Sequence, residues 1–256
     1  MCAFYEKHNS NYKPFMMKLH LIIPCIAIAL LASCKQGKQQ GTTDKEQGAR
    51  SEEQTTRNVV KKKLHVVKEF THLTNLSGVD IIYQQGDYYM ELEGDSTLLE
   101  VLGLNFDSNL LTISMPTDAN MDINAYGNSS HMKMRLSCPD LRCVSICGTG
   151  NFESHGTWRS NDIQLGVFDR GSLTLDSVEC TTLSMQSNAK GAIAATNVKA
   201  DEATVLGGGL GSIDLHLDVK EFVLLNDGKQ KINLSGKAEK LLIRNQNDPN
   251  LTNNIK

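Results

Sequence analysis

Aromatic residues, excess charge and long apolar runs are all scarce in this chain of 256 residues. Only 5% of the residues are aromatic, and the formal net charge is −3. A nearly neutral chain without a basic stripe is a poor binder of nucleic acid, so no nucleic-acid partner is expected. The apolar run from Leu19 to Leu31 has about 13 residues, fewer than the roughly 20 of a membrane-spanning helix, and it therefore predicts a signal peptide rather than a permanent span.

Motifs of metal and catalytic chemistry are absent as well. The sequence contains no C-x-x-C or C-x-x-H pair for structural zinc. It also lacks a nucleophile elbow, a P-loop and a dinucleotide fingerprint. We therefore expect no metal, no cofactor, no catalytic residue and no enzymatic activity.

The N-terminal region carries a secretion signal that ends in a cysteine. From Met16 the chain reads MMKLHLIIPCIAIALLASC, with Lys18 before the apolar run and small residues after it. The last four residues, LASC, resemble the lipobox of bacterial lipoproteins, which implies that Cys34 becomes the acylated first residue of the mature protein. The alternative is an ordinary secretory signal with a chance cysteine.

Four segments are predicted along the chain. Residues 1–34 are the signal region, and the true start is Met16 or Met17 because residues 1–15 do not resemble a signal. Residues 35–60 are polar and should be a disordered tether with an r.m.s. span of roughly 28 Å. Residues 61–250 form the folded head, and residues 251–256 a C-terminal tail. The protein should sit in the bacterial cell envelope, attached to a membrane through its lipid, with the outer membrane expected and its leaflet left open.

A phrase of about 20 residues recurs from Val144 to Leu251. In each copy an alternating apolar run enters a Gly-rich or Asn/Asp-rich corner, and a second alternating run follows. Each copy is too small to bury its apolar face alone, so the copies must stack. The equivalent corner positions, one in each copy, are Gly150, Gly171, Gly191, Gly211 and Gln230.

The apolar positions within the copies predict how they stack. A period of two indicates strands, and equal offsets between copies indicate that inward side chains form columns. The pattern predicts an all-β fold, a single-stranded right-handed parallel β-helix (β-solenoid) with rungs of two strands and two corners. A β-sandwich made of the same runs is the alternative. The column two residues past the corners consists of Phe152, Leu173, Ile193, Ile213 and Ile232.

The first half of the head, residues 61–137, has less regular strands. Residues 96–101 indicate one helical turn, and Gln85-Gly86-Asp87 indicates a hairpin turn. Between two further strands lies a loop of about 15 residues that contains Tyr126, and loops of this length are either functional or disordered.

The order of short motifs here resembles a known family. Residues 70–81 read F-x-x-L-x-x-x-x-G-V-D-I, residues 91–95 read ELEGD, residues 110–113 read LLTI, and residues 148–151 read GTGN. This order resembles the head GIN domain of auto-transporter adhesins, found in bacterial envelope lipoproteins, over about residues 64–250. The resemblance implies a β-helix-like head in the cell envelope, and the family name suggests adhesion. The charged corner at Asp169-Arg170-Gly171 departs from the family's usual G-S-G-D/N corner.

Four cysteines lie in the predicted head: Cys138, Cys143, Cys147 and Cys180. An oxidising envelope allows disulfides. On one strand Cys143 and Cys147 would be about 13 Å apart, too far for a bridge. A turn at Pro139-Asp140 could join Cys138 to Cys143, and four free thiols are the alternative.

Candidate binding residues are few. Trp158 and Tyr126 are aromatic side chains that an exposed site could use, and Asp169 and Arg170 form a charged corner. For Trp158 the alternative is a packing role at the end of a rung's core. His155 and His216 occupy equivalent positions three rungs apart, roughly 14 Å, so they should not share a metal.

The function that fits these observations is a membrane-anchored, non-enzymatic, adhesin-like solenoid that presents an extended surface to an unknown protein or glycan partner or to an envelope polymer. One alternative is a polysaccharide-active β-helix enzyme whose acids gather around Asp162, Asp169 and Asp176. Another is a structural spacer that self-associates.

Overall fold

The computed structural model describes residues 59–64, 69–116, 132–188 and 190–256, all of them in the compact unit Glu52–Lys256. These residues form one helix, α1 (Ser96–Val101), and one sheet of 15 strands. The strands are β1 (Val59–Leu64), β2 (His72–Asn75), β3 (Asp80–Tyr83), β4 (Tyr89–Asp95), β5 (Gly103–Asp107), β6 (Leu110–Ser114), β7 (Lys133–Ser137), β8 (Cys143–Ile146), β9 (Phe152–Arg159), β10 (Asp162–Val167), β11 (Ser172–Ser187), β12 (Ala192–Gly207), β13 (Ser212–Asn226), β14 (Lys231–Ile243) and β15 (Leu251–Ile255).

The second half of the sheet is the predicted parallel β-solenoid. Strands β11, β12, β13 and β14 pair in parallel, each with the next, and β9 and β15 pair with the two ends of this series. The ladder aligns the predicted column and places Leu251 beside its last member. The five predicted members are at most 1% exposed, and they are Phe152, Leu173, Ile193, Ile213 and Ile232. The predicted stacking of inward side chains is therefore confirmed.

In this half each full turn has three straight sides rather than the predicted two strands. In β11 the buried residues are Leu173 and Leu175, then Val178, then Leu183 and Met185, so the alternation slips by one residue twice. The pairing of β11 with β12 is interrupted at the same places. The strand continues past each slip because its pairing with the neighbouring strand begins again after the interruption. We call residues 172–175 side 1, residues 177–180 side 2 and residues 182–187 side 3, and use the same names for their equivalents in other rungs.

The first half of the head continues sides 1 and 3 in a spatial order that differs from the sequence order. Strand β3 lies between β7 and β9, and β2 lies between β6 and β8, all in parallel. The rung that comes first in sequence is thus inserted between two later ones. Antiparallel strands end both stacks, β4 and β1 beyond β7, and β5 beyond β6.

Two local predictions for this half have different outcomes. The helical turn is confirmed as α1, where the Asp95 side chain accepts a hydrogen bond from the Thr97 backbone N–H at the N-cap. The predicted hairpin at Gln85-Gly86-Asp87 is wrong, because β3 and β4 do not pair with each other and β7 lies between them. The turn carries the chain past a strand that comes much later in the sequence.

The sheet also extends beyond residue 250, where the sequence predicts a tail. Strand β15 pairs with residues 232–236 of β14 and places Leu251 next to Ile232. Residues 251–255 are therefore part of the described sheet. The signal region and residues 35–58 of the tether lie outside the described residues, as does Tyr126 in its loop.

The corner glycines are needed for close backbone approach. A Cβ at Gly211 would lie 1.6 Å from the Gly191 carbonyl oxygen, and one at Gly171 would lie 2.2 Å from that of Gly150. Positive φ angles occur instead at Gly156 and Gly236, within β9 and β14. The backbone of one corner thus packs directly on the corner of the preceding rung, which explains the recurrence of glycine once per rung.

Candidate binding surfaces

Trp158 is part of the core, which is the packing role given as its alternative, and it does not lie on a binding surface. It is 1% exposed, and its indole Nε1–H donates a 2.8 Å hydrogen bond to the Leu141 carbonyl. Its ring packs edge-on against Tyr83, with centroids 5.2 Å apart, and lies 5.9 Å from Phe152. Gly156, with φ +74°, makes a bend within β9, and the strand continues past this bend and turns Trp158 inward.

Asp169 and Arg170 lie together in the corner between side 3 and the next side 1. The Arg170 Nε is 3.8 Å from an Asp169 carboxylate oxygen, and the Arg170 and Asp169 side chains are 68% and 44% exposed. An ion pair this exposed contributes little to stability. The corner is therefore accessible, and it lies on one border of side 3.

The three carboxylates of the enzyme alternative do not converge. Asp162 lies at the start of side 3 and hydrogen-bonds Thr182 of the next rung, whereas Asp169 lies past the end of the same side. Asp176 lies at the slip between sides 1 and 2, where it accepts a 3.1 Å hydrogen bond from the Gly156 N–H. The fold thus places the three acids at three different corners of the turn, and an acid–base pair for glycoside cleavage requires two carboxyl groups within about 10 Å.

The histidines likewise do not share a site. His155 lies 3.7 Å from Asp176 and 3.8 Å from Glu153, whereas His216 contacts the Ser235 hydroxyl at 3.0 Å. In the part of the chain that the structure describes, no three His, Cys, Asp or Glu side chains are grouped to hold a metal ion.

All four head cysteines are thiols, and the bridge between Cys138 and Cys143 is not formed. Burial raises the pKa of Cys138 and of Cys180 to about 12, and that of Cys147 to about 11. These three thiols therefore stay protonated at neutral pH, which makes them packing residues rather than nucleophiles.

A shallow open groove of about 840 Å³ runs across the strands on side 2. Its floor is a column of small side chains aligned by the ladder, in which Cys180 neighbours Ala200, Ala200 neighbours Val219, and Val219 neighbours Ala238. Because none of these side chains is large, the surface stays concave over four successive rungs. We call this the side 2 groove.

Charged residues of alternating sign form one wall of the side 2 groove. The ladder places Lys199 between Glu179 and Asp218, and Lys237 follows Asp218. Glu179 already has a partner, since Arg159 Nε lies 2.8 Å from its carboxylate. At the far end the Lys256 main-chain oxygen accepts a hydrogen bond from the Ala238 N–H, so Lys256 lies next to Lys237.

The charged residues of the opposite wall are Asp201, Lys220 and Glu239. Lys220 Nζ lies 2.6 Å from an Asp201 oxygen, and this contact raises the pKa of Lys220. Glu221 likewise raises the pKa of Lys240, and Glu239 is a lesser cause for both lysines. Among the described residues, Lys199, Lys237 and Lys256 have no ion-pair partner. The groove carboxylates Asp218 and Glu239 have none either, so the unpaired groups of the groove are three lysines and two acids.

The sequence contained a signal for this groove that the search for motifs missed. Glu179, Lys199, Asp218 and Lys237 recur once per copy, in step with the corners. Charges that recur with the repeat period must form a column on the surface. The pattern of apolar positions alone does not reveal this charged column.

Comparison with known proteins agrees with this architecture. The family model described as "Putative auto-transporter adhesin, head GIN domain" matches residues 69–209. The chain belongs to this family. The match ends in the corner after β12, so β13, β14 and β15 extend the head GIN domain by further solenoid rungs.

Solved structures share the fold of this head GIN domain. A "putative adhesin" from Bacteroides fragilis is 17% identical, with a TM-score of 0.61 over 71% of this chain and 81% of that one. A "putative adhesin" from Parabacteroides distasonis is 15% identical, with a TM-score of 0.53 over 74% and 94%. A "putative lipid binding protein" from the same species is 14% identical, with a TM-score of 0.52 over 73% and 92%.

None of the curated proteins compared with the chain matches it. Within the described ranges, no helix is both long enough and apolar enough to cross a bilayer.

Proposed function

We propose that this protein is a lipid-anchored, non-enzymatic binding protein of the bacterial envelope, and that its side 2 groove holds an extended anionic polymer. The observation that carries the proposal is the groove itself, about 840 Å³ in volume, with a floor of small residues and with lysines that lack ion-pair partners among the described residues. Membership of an adhesin family supports binding rather than catalysis. The separation of Asp162, Asp169 and Asp176 is a further argument against glycan cleavage.

Attachment to the membrane is proposed through Cys34. The LASC sequence follows an apolar run that is too short to span a bilayer, which fits a cleaved and acylated signal. Several acyl chains on one residue would anchor far more firmly than one chain, whose membrane binding is marginal. The polar segment that follows would hold the head roughly 28 Å from the membrane.

The choice of an anionic ligand is based on the three groove lysines that have no ion-pair partner among the described residues. Lys199, Lys237 and Lys256 line a groove that is open to solvent. A polymer with carboxylate or phosphate groups along its length would lie across the rungs and approach these lysines in turn. Asp218, between Lys199 and Lys237, favours a ligand whose charges are spaced rather than continuous.

One co-sedimentation experiment tests both parts of the proposal. Membranes from cells that produce the full chain are mixed with fluorescent polygalacturonate, a polymer of anionic sugars, or with neutral dextran, and are then pelleted. We expect the wild-type membranes to retain the polygalacturonate intact and not the dextran. Cys34→Ser should move the protein and the polymer to the supernatant. Reversal of two groove charges, Lys199→Glu with Lys237→Glu, should leave the protein in the pellet and weaken polymer binding at least tenfold.

The matched control reverses two exposed lysines on side 1, Lys133→Glu with Lys231→Glu, and should bind as the wild type does. Equal loss in the control and groove variants would contradict the assignment of the groove. If the wild-type protein shortened the polymer and the Asp169→Ala variant did not, the non-enzymatic role would be contradicted. A Cys34→Ser protein that still pellets with the membranes would contradict the anchor.

A further inference from the structure

The outer face of side 3 is almost free of charge. From β10 to the end of β14, the ladder arranges its outward residues in two columns. The charged groups on this face are Arg244 and Asp227, which lie 3.9 Å apart at one corner. The columns are Gln164, Ser184, Thr204, Val223 and Leu242, and Gly166, Gln186, Leu206, Leu225 and Arg244.

Apolar side chains collect toward the C-terminal end of this face. Leu242 is 53% exposed, and Val223 beside it on β13 is 9% exposed. Leu206 and Leu225 are half-buried neighbours in the adjacent column. Depletion of charge around exposed aliphatic residues is typical of the centre of a protein interface.

The two long borders of this face have opposite charge. Asp162, Glu202 and Glu221 share one register position at the start of side 3. The other two members of this row are Thr182 and Lys240, and Lys240 is ion-paired with Glu221. Past the other end, the corner residues Arg170, Lys190 and Lys229 share one position, in which the third member of the row is Leu210. A mainly acidic row and a mainly basic row therefore flank the uncharged face, and in the basic row Arg170 lies 3.8 Å from Asp169 of the same corner.

We propose that this face binds the same face of a second copy of the chain, about a two-fold axis parallel to the stacking direction of the rungs. A half-turn about that axis keeps each rung opposite its own counterpart and exchanges the two borders. Asp162 then faces Arg170 of the other copy, and Glu221 faces Lys229 of the other copy. A two-fold axis along the strands would instead place acidic row on acidic row, which like-charge repulsion disfavours.

The area available is sufficient for such a contact. Five strands at about 4.8 Å spacing and six residues at about 3.3 Å rise give a face of roughly 24 by 20 Å. Two copies would then bury about 1,000 Å² across the face, which is the lower limit for a specific interface, and the two charged borders add to it. This interface lies on a different side from the groove and does not depend on the ligand proposed for it.

Exchanging the charges at the two borders tests the proposal, because single variants should weaken dimerisation and the double variant should restore it. The full chain in detergent micelles is studied by sedimentation velocity over a range of concentrations, and we expect a reversible dimer. Asp162→Lys and Arg170→Asp should each weaken dimerisation at least tenfold, because each places like charges opposite each other at both borders. The double variant should restore the wild-type constant, because the exchanged charges again face opposite ones.

Two further variants separate the interface from folding. Leu206→Arg places a charge in the middle of the face and should abolish the dimer, whereas Thr174→Arg on side 1 should leave it unchanged. Circular dichroism verifies that all variants are folded. A chain that stays monomeric at every concentration, a dimer that survives Leu206→Arg, or a double variant that fails to recover would each overturn the proposal.

Discussion

Replacing Trp158 with alanine should lower the free energy of unfolding by about 3–5 kcal/mol, the cost typical of deleting a large buried aromatic side chain. The indole is 1% exposed and packs against Tyr83 and Phe152, so little of the resulting cavity can be filled by solvent. Its loss also leaves the Leu141 carbonyl without the 2.8 Å hydrogen bond from Nε1. Denaturant unfolding of the full chain, followed by circular dichroism, measures the change.

Two control variants divide this effect into its parts. Trp158→Phe keeps most of the ring packing and loses the N–H donor, so it should cost only about 1–3 kcal/mol. Leu210→Ala removes a side chain that is 61% exposed and should change the stability by less than about 0.5 kcal/mol. If Trp158→Ala were as harmless as Leu210→Ala, the indole would be at the surface and its described packing would be wrong.

Replacing Gly211 with alanine should cost about 3 kcal/mol or more, although it adds only one methyl group. The new Cβ would lie 1.6 Å from the Gly191 carbonyl oxygen and 3.0 Å from the Lys190 carbonyl carbon. Both obstacles are backbone, so no side chain can rotate away and the two rungs must separate. Their separation would strain the ladder that joins β12 to β13 and the burial of Ile213. Thermal unfolding should show a fall in Tm of about 6–12 °C.

The matched control is Gly86→Ala. A Cβ at Gly86 would have nothing within 4 Å, and Gly86 has no positive φ. This variant should unfold within about 0.5 kcal/mol of the wild type. Equal destabilisation by the two variants would mean that corner glycines matter through chain flexibility, and that the close approach of successive corners is unimportant.

The columns of the solenoid were predictable because they depend on local rules. Period-two alternation places Phe152, Leu173 and Ile193 on the inner face, and corners at a nearly constant spacing align these residues in successive rungs. Neither rule needs long-range information. The third side was missed because each slip in alternation moves the buried positions by one residue, as between Leu175 and Val178. From sequence such a slip is difficult to distinguish from a corner.

Pairings between distant segments were not predictable in this way. The insertion of β2 and β3 between later strands requires contacts between segments far apart in the sequence, and no repeat pattern marks those strands. Buried polar side chains were also missed. Asn75 is 0% exposed and its amide bonds both Ser77 and the Val79 carbonyl, while Gln230 accepts a hydrogen bond from the Gly209 N–H. Their burial follows from corner geometry, because a corner has backbone groups that no ladder satisfies.

The candidate surfaces, too, were predictable from the sequence only in part. Asp169 and Arg170 were predicted at an exposed corner and lie there. The groove and the uncharged face depend on which side each outward column occupies, and that assignment needs the three-sided turn. Once the sides are known, the repeat spacing of the charged residues locates both surfaces.

The most direct test of the stacked solenoid is a set of spin-label distances along one outward column of side 1. Glu153, Thr174, Ala194, Asp214 and Asn233 occupy successive rungs of the ladder. Pulsed electron paramagnetic resonance on pairs that share a label at Glu153 should give backbone separations of about 10, 14 and 19 Å for partners at Ala194, Asp214 and Asn233, an increase of about 4.8 Å per rung. Distances that do not grow with the number of rungs, or that exceed this series severalfold, would contradict the account.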